Sequence, residues 1–239
     1  MNPLIPYVKR GIDIVASIVG LLLTLPFYPL IALAIKLESE GPVFYSQKRV
    51  KGIETNAEGK NEYLLFKMVK FRSMCQNAEA KTGAVLAKKN DMRITKVGRF
   101  LRKSRLDELP QFWSVLIGDM SLVGPRPERP ELLEKIAKEV PFFEERVRNM
   151  KPGITGLAQI HLNYDGELTP HHTLYPMKKL LTNPYKKAKE EDSVMKGMRT
   201  KMLFDSAYSA SMSKLSTYLT TEITIILQTP IVMLFGRGR

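Results

Sequence analysis

"IVASIVGLLLTLPFYPLIALAI", residues 14–35, decides what kind of fold this chain can have. It runs for twenty-two residues without a charge, and about 20 apolar residues suffice to cross a bilayer. A spanning helix, a cleaved signal peptide and a re-entrant element that dips into one leaflet and returns all start from such a run. Lys9 and Arg10 before it and "ALA" at 32–34 suit a signal peptide, although that class carries a core of only ~7–15 residues without central prolines. Pro26 and Pro29 suit the re-entrant reading. Each lacks an N–H and crowds the carbonyl four residues back, so the pair predicts a sharp bend. The flanks are basic on both sides, with Lys36, Lys48, Arg49 and Lys51 following, whereas a spanning helix concentrates that excess on one side.

The far end repeats the theme more weakly. "ITIILQTPIVMLF", residues 223–235, is interrupted by Gln228 and Pro230 and is too short to span. It reads either as a core helix or as an interfacial one, with "GRGR" beyond it suited to acidic headgroups. Across all 239 residues, 37 Lys and Arg face 24 Asp and Glu, a net charge of +13. That excess calls for anionic partners: nucleic acid, phospholipid or phosphorylated small molecules. Nucleic-acid binding explains the charge but not the uncharged segment. Cys75 is the only cysteine, which excludes an intrachain disulfide, and with no base or metal ligand beside it a buried structural thiol is expected.

Between the apolar ends the chain reads as α+β, mainly helical with a small β element. Residues 41–75 read as extended, with "KGIETNAEGKN" (51–61) as the hairpin connection. Residues 95–118 read as helical with a break near Ser104 to Asp107. "GDMSLVGPRPERP" (118–130) reads as a rigid loop, Pro125 and Pro127 locking the backbone either side of Arg126. "ELLEKIAKEVPFFEERVRNM" (131–150) reads as an amphipathic helix interrupted at Pro141, and "KPGITGLAQI" (151–160) as a turn and short strand. The expected organisation is a membrane helix at 1–40, a catalytic domain at 41–160, an irregular polar excursion at 161–200 and a C-terminal helical segment at 201–239.

One charge pattern stands out. From Lys88 to Arg105 eight cations are opposed only by Asp91, and then Asp107 and Glu108 stand side by side in "LRKSRLDELPQFW", residues 101–113. The bland account makes both acids helix caps: Asp107 as N-cap before Pro110, or Ser104 and Asp107 as a capping box. The functional account uses the same helix start. Its free N–H groups and dipole attract phosphate, and with Arg102 and Arg105 they would keep Asp107 ionised. An ionised carboxylate can attack phosphorus while its neighbour holds Mg²⁺.

At these residues the chain resembles the bacterial sugar transferases, the monotopic polyprenyl-phosphate hexose-1-phosphate transferases (phosphoglycosyl transferases). The matching blocks are "KRGIDIV", "GPVFYSQKRV", "FKMVKFRSM", "DMRITKVGRFLRKSRLDELPQFWSVLIGDMSLVGPRP" and "KPGITGLAQ", with looser matches in "KMLFDSAYSAS" and the final "GRG". The resemblance implies a re-entrant helix broken at Pro26 and Pro29, on the cytoplasmic face of the bacterial inner membrane, in a short-form member of the family. It implies transfer of a sugar 1-phosphate from a UDP-sugar to undecaprenyl phosphate, with UMP released. On this carry-over Asp107 is the nucleophile and Glu108 positions Mg²⁺ or a proton. Lys70, Arg72 and Arg102 are substrate-binding, and Pro125, Arg126 and Pro127 form the loop near the nucleotide. Phospholipid is a further partner, nucleic acid is not, and a homo-oligomer is compatible with the sequence. The chain departs from the family pattern in having Leu25 where Ser often precedes Pro26, in the additional Pro29, and in "IHLNYDG" after "GLAQ". His171-His172 reads as a polar loop rather than a metal site. The rival to an enzyme is a non-catalytic basic protein docking on anionic membrane.

Overall fold

Pro26 breaks the N-terminal helix where its ring and missing N–H require. In the computed structural model, which describes residues 2–78, 91–163, 166–168, 174–177 and 193–234, helix α1 (Ile5–Thr24) passes through a 3-10 turn (Leu25–Phe27) into α2 (Tyr28–Glu38). The turn lets the Tyr28 N–H reach the Leu25 carbonyl, the group that Pro29 cannot serve. A hydroxyl does lie at the break, one residue earlier than the family serine: Thr24 donates to the Gly20 carbonyl at 2.7 Å. Pro29 falls in the first turn of α2, where no N–H is needed.

The side chains of α1 and α2 are distributed inside out. Asp13 and Ser17 are buried against protein, while Val15, Leu22, Leu23, Phe27, Leu30 and Leu33 are exposed. Ile5–Glu38, 34 residues, is long and apolar enough by length and composition to cross a membrane. Its two arms rest on one body. The first packs on α4 (Gln111–Ile117) and β3 (Ser121–Val123), with Gly20 so close to the Phe112 ring that a Cβ would stand 2.7 Å from it. The second sends Ile31 and Ile35 into a cluster with Phe71 and Leu101.

Strands β1 (Phe44–Thr55) and β2 (Asn61–Phe71) form an antiparallel hairpin from Phe44 opposite Phe71 to Thr55 opposite Asn61. The connection is shorter than expected. Only residues 56–60 turn, with Gly59 at φ 77 and the Asn56 side chain accepting from the Glu58 and Lys60 N–H groups. The polar strand ends stay extended because Arg148 donates across both, to Thr55 Oγ1 at 3.0 Å and Asn61 Oδ1 at 2.9 Å. A bulge between Val50 and Gly52 shifts the pleat so that Ile53 packs with Leu133, Ile136 and Phe143.

Helix α3 (Lys96–Ser104) starts at Thr95, whose hydroxyl caps the Gly98 N–H, and ends where the sequence pattern breaks. Beyond β3, α5 (Pro130–Glu139) stops before Pro141 as expected; it does not resume as an α-helix, because Phe142 takes a left-handed φ of 65° and only a 3-10 stretch (Phe143–Val147) follows. β4 (Gly153–Thr155) pairs in parallel with β3, and α6 (Leu157–His161) follows. Helix α7 (Ser193–Ser211) begins inside the stretch expected to be irregular, and α8 (Leu215–Leu234) continues through Pro230. Tyr218, Glu222 and Ile225 of α8 are buried, while Ile223, Leu227 and Ile231 form an exposed apolar stripe at intervals of four. The helix is thus core on one side and, among the described residues, exposed apolar surface on the other. Cys75 is exposed, contrary to expectation, because it follows the hairpin where the chain runs along the surface. His171, His172 and the final "GRGR" lie outside the described residues.

Candidate active site

The site begins with a left-handed residue. Arg105 has φ 57°, an uncommon conformation for a side chain with a Cβ, and it ends α3 where glycine is the usual choice. The chain then makes one 3-10 turn, Leu106–Glu108, before α4 starts with Pro110 in the cap position. Neither capping account of the acids holds. Ser104 Oγ donates back to the Phe100 carbonyl at 2.9 Å, and Asp107 sits in the 3-10 turn, not at the N-cap of α4. The early stop at Arg105 moves both acids out of the helix start and turns Asp107 inward, where it is 6% exposed.

Strand alternation brings a lysine to them. Phe66 and Met68 face the core, so Lys70, two residues on, lies on the same face. Its ammonium stands 5.7 Å from the Tyr45 ring centroid, on the residue that pairs with it across the hairpin. The third wall is the Pro125–Pro127 loop. Its base is main chain packed on main chain: Gly124 N–H donates to the Thr155 carbonyl and Gly153 N–H to the Pro125 carbonyl, both at 2.9 Å. A Cβ on Gly124 would overlap the Lys151 carbonyl oxygen. From this base Arg126 donates to Glu108 at 2.7 Å, and Arg49 of β1 holds the loop by donating to the Pro127 carbonyl at 2.9 Å.

These neighbours drive the two carboxyls apart. Burial pushes Asp107 up to about 6, the adjacent Glu108 adds to the rise, and Lys70, Arg102 and Arg126 offset only part of it. Burial also disfavours the Glu108 carboxylate, but Arg126 and Arg105 outweigh it and hold the group at about 2. Burial lowers Lys70 to about 8 even with Asp107 beside it. From sequence, the helix start, Arg102 and Arg105 are expected to favour the Asp107 carboxylate; burial is the larger effect and raises the group, leaving it ionised above about pH 6. Two adjacent acids of opposite tendency are the pattern of a divided role.

Lys70, Arg102, Glu108 and Arg126 all lie near enough to act on the charge of Asp107. Arg72 does not join them. It is buried and donates to the Glu40 and Ser39 carbonyls, the latter at 2.8 Å, closing the end of α2. A tier behind the loop is absent from the sequence reading. Arg146, almost fully buried, pairs with Asp205 of α7 at 3.0 Å and Glu128 at 3.7 Å, and donates to the Arg126 carbonyl at 3.2 Å. Its signal was present in "PRPERP" and "LFDSAYSAS", where single acids interrupt otherwise neutral or basic runs.

No group of three or more His, Cys, Asp and Glu gathers for a metal among the described residues. Mg²⁺ needs no such cage: it takes one or two carboxylates, keeps waters and accepts substrate phosphate oxygens. Asp107 and Glu108 fit that donor set, with Glu108 the one that stays ionised to lower pH.

A sequence model of the family described as bacterial sugar transferase matches residues 5–236. Among curated relatives, the UDP-N-acetylgalactosamine-undecaprenyl-phosphate N-acetylgalactosaminephosphotransferase of Aeromonas hydrophila is 42% identical over 182 residues, covering 74% of this chain and 40% of that protein. The UDP-glucose:undecaprenyl-phosphate glucose-1-phosphate transferase of Escherichia coli (strain K12) is 45% identical over 155 residues, covering 64% and 31%. The undecaprenyl-phosphate galactose phosphotransferase of Salmonella typhimurium is 41% identical over 169 residues, covering 64% and 32%. The chain thus spans 40% or less of the length of these three.

Proposed function

The chain belongs to the bacterial sugar transferase family, and from that membership we propose that it transfers a sugar 1-phosphate from a UDP-sugar to undecaprenyl phosphate through a phosphosugar carried on Asp107. The carrying observation is the Asp107–Glu108 pair, Asp107 buried and Glu108 half-buried, with Lys70 beside Asp107 and Arg126 bonded to Glu108. A basic protein that only docks on membrane has no use for such an acidic pair. An Asp107 carboxylate oxygen attacks the phosphorus that bears the sugar, and the bond from that phosphorus to the bridging oxygen breaks. UMP leaves with the bonding electrons. An oxygen of undecaprenyl phosphate then attacks the same phosphorus, releasing Asp107 and forming the lipid-linked diphosphosugar. Lys70 and Arg126 take up charge on the diphosphate, and Mg²⁺ when bound, held by Glu108, supplies further charge neutralisation.

The names of the three relatives carry three different sugars at nearly equal identity, so the donor is decided by assay. With undecaprenyl phosphate and Mg²⁺ present, one of the UDP-sugars of N-acetylgalactosamine, N-acetylglucosamine, glucose or galactose should release UMP. Release from none of them would end the proposal.

The protonation states give a second expectation. Attack requires Asp107 ionised, so kcat/KM should rise with pH through about 6. Phosphate binding requires Lys70 charged, so it should fall again through about 8. The profile of UMP formation is bell-shaped between these limits, and Lys70→Arg extends the basic limb. A profile flat from about pH 5 to 9 would remove both groups from the reaction.

We also propose that the apolar segment is re-entrant, at the cytoplasmic face of the inner membrane. Support comes from both arms gripping one body. At the far arm, the Glu38 carboxylate accepts from the Lys96 and Val97 N–H groups at 2.6 and 2.8 Å, capping α3. The exposed side chains at the break, Leu22, Leu23, Leu25, Phe27 and Leu30, then offer apolar surface to the leaflet, and the stripe on α8 adds apolar area at the interface. Cysteines at Asn2 and Ser46, in a background without the exposed Cys75, should both resist an impermeant thiol reagent in intact cells. Labelling of one alone would mean a spanning helix.

A further inference from the structure

Three side chains of α1 reach into the two segments that carry the site. Arg10 donates to the carbonyls of Val115 at 2.8 Å and Leu116 at 2.6 Å. These lie in the last turn of α4, where the Gly118 N–H also reaches the Val115 carbonyl at 3.1 Å, and α4 is the helix that starts just after Glu108. Asp13, 3% exposed, accepts from Ser121 Oγ at 2.9 Å and from the Leu122 N–H at 2.7 Å, both through Oδ1. Lys9 donates to the Val123 carbonyl at 2.8 Å and is itself held by Glu222 at 3.0 Å and the Tyr208 hydroxyl at 2.8 Å. β3 leads directly into Gly124 and the Pro125–Pro127 loop.

One turn of one helix therefore holds the segment behind the acidic pair and the strand before Arg126. A buried aspartate whose single oxygen serves a backbone N–H and a hydroxyl is a register device: shifting β3 by one residue would break both bonds.

We propose that Arg10 and Asp13 are positioning residues that set Arg126 against Glu108, so that the apolar segment also aligns the charged pair beside Asp107. The activity readouts rest on the reaction proposed above; the exchange readout does not. Asparagine keeps an oxygen where Oδ1 stands and retains both hydrogen bonds, so Asp13→Asn should behave as native while Asp13→Ala should not.

The test uses the full chain in phosphatidylethanolamine–phosphatidylglycerol vesicles. Asp13→Ala should slow UMP release about tenfold or more and speed amide exchange in residues 121–126 while leaving α5 unchanged. Arg10→Ala should do likewise at 111–117. In an Arg126→Ala background, Asp13→Ala should cost no more than about a further twofold, because residues acting through one another are not additive. Should Asp13→Ala fail to fold, Ser121→Ala removes one of the two donors and should give the same pattern, smaller. Losses that multiply in the Arg126→Ala background, or exchange at 121–126 that stays native in Asp13→Ala, would overturn the inference. A native chain that releases no UMP from any donor would end the reaction proposal, and the exchange comparison would still decide this one.

Discussion

Asp107→Asn is expected to abolish turnover and the covalent adduct together, while leaving the fold as stable as the native protein or slightly more so. The two effects have one cause. Burial and the adjacent Glu108 raise Asp107 above the usual carboxylate range, so its ionised form is disfavoured in the folded chain. An acid whose folded pKa is raised destabilises the fold fully above that pKa, and the penalty is relieved progressively as pH falls from about 6 toward the unfolded value of about 3.9. Near pH 7.5 the native chain carries this penalty and an amide does not, so Tm should hold or rise. Activity moves the other way, because an amide is a poor nucleophile. With the correct UDP-sugar, Mg²⁺ and no lipid acceptor, the native chain should release UMP in a burst no larger than the enzyme concentration. Its mass should rise by one phosphosugar, localised to Asp107, and added undecaprenyl phosphate should discharge it. In Asp107→Asn the burst and the mass shift disappear and turnover falls about a thousandfold or more. Glu108→Gln should slow both steps yet leave a trace of adduct. Substantial turnover by Asp107→Asn would reduce the acidic pair to a structural feature.

Which parts of this site could be read from sequence follows from how far each signal reaches. Lys70 was legible only through the resemblance of "FKMVKFRSM"; the strand alternation that carries it to the face of Phe66 and Met68 supplies the physical reason. The acidic pair was legible because it interrupts a cationic run within a few residues. The way the chain presents it was not, because arginine gives no warning of a left-handed turn and Arg105 adopts one. The hairpin tip was misjudged for a related reason: polar residues that look like a loop are held extended by Arg148, far away in the chain. Glu128, Arg146 and Asp205 show the limit most clearly. Each is an ordinary charge in its own stretch, and only the fold shows that they form one buried tier behind Arg126. Asp13 lay between these extremes, since a lone acid at the edge of an apolar run needs a partner whose identity the run does not give.

Arg126→Ala should differ from Asp107→Asn in a way that tests the geometry directly, since it should lose both activity and stability. Glu108 is held at about 2 because Arg126 and Arg105 overcome its burial, and Arg126 bonds to it at 2.7 Å. Removing one partner of a fully buried pair costs about 3–5 kcal/mol. The Arg126 side chain is 37% exposed, so solvent screening reduces the expectation to about 1–3 kcal/mol. The sign with pH is fixed. A carboxylate with a depressed folded pKa contributes stability above its unfolded value, near 4.3, and loses that contribution as pH falls toward about 2. The stability gap between native and Arg126→Ala should therefore be full above about pH 5 and close progressively in acid. Arg126→Lys should recover much of the stability, because charge suffices for that, but little of the turnover, because an ammonium cannot reproduce the guanidinium's planar set of donors. Lys51→Ala, which breaks the half-exposed pair with Asp119, should cost about 1 kcal/mol or less. Turnover in Arg126→Ala should fall about a hundredfold, as Glu108 loses its orientation and the diphosphate loses a cation. A stability gap that stays constant down to acid pH would mean that Arg126 does not hold Glu108. Full turnover would mean that the rigid loop belongs to the scaffold and not to the reaction.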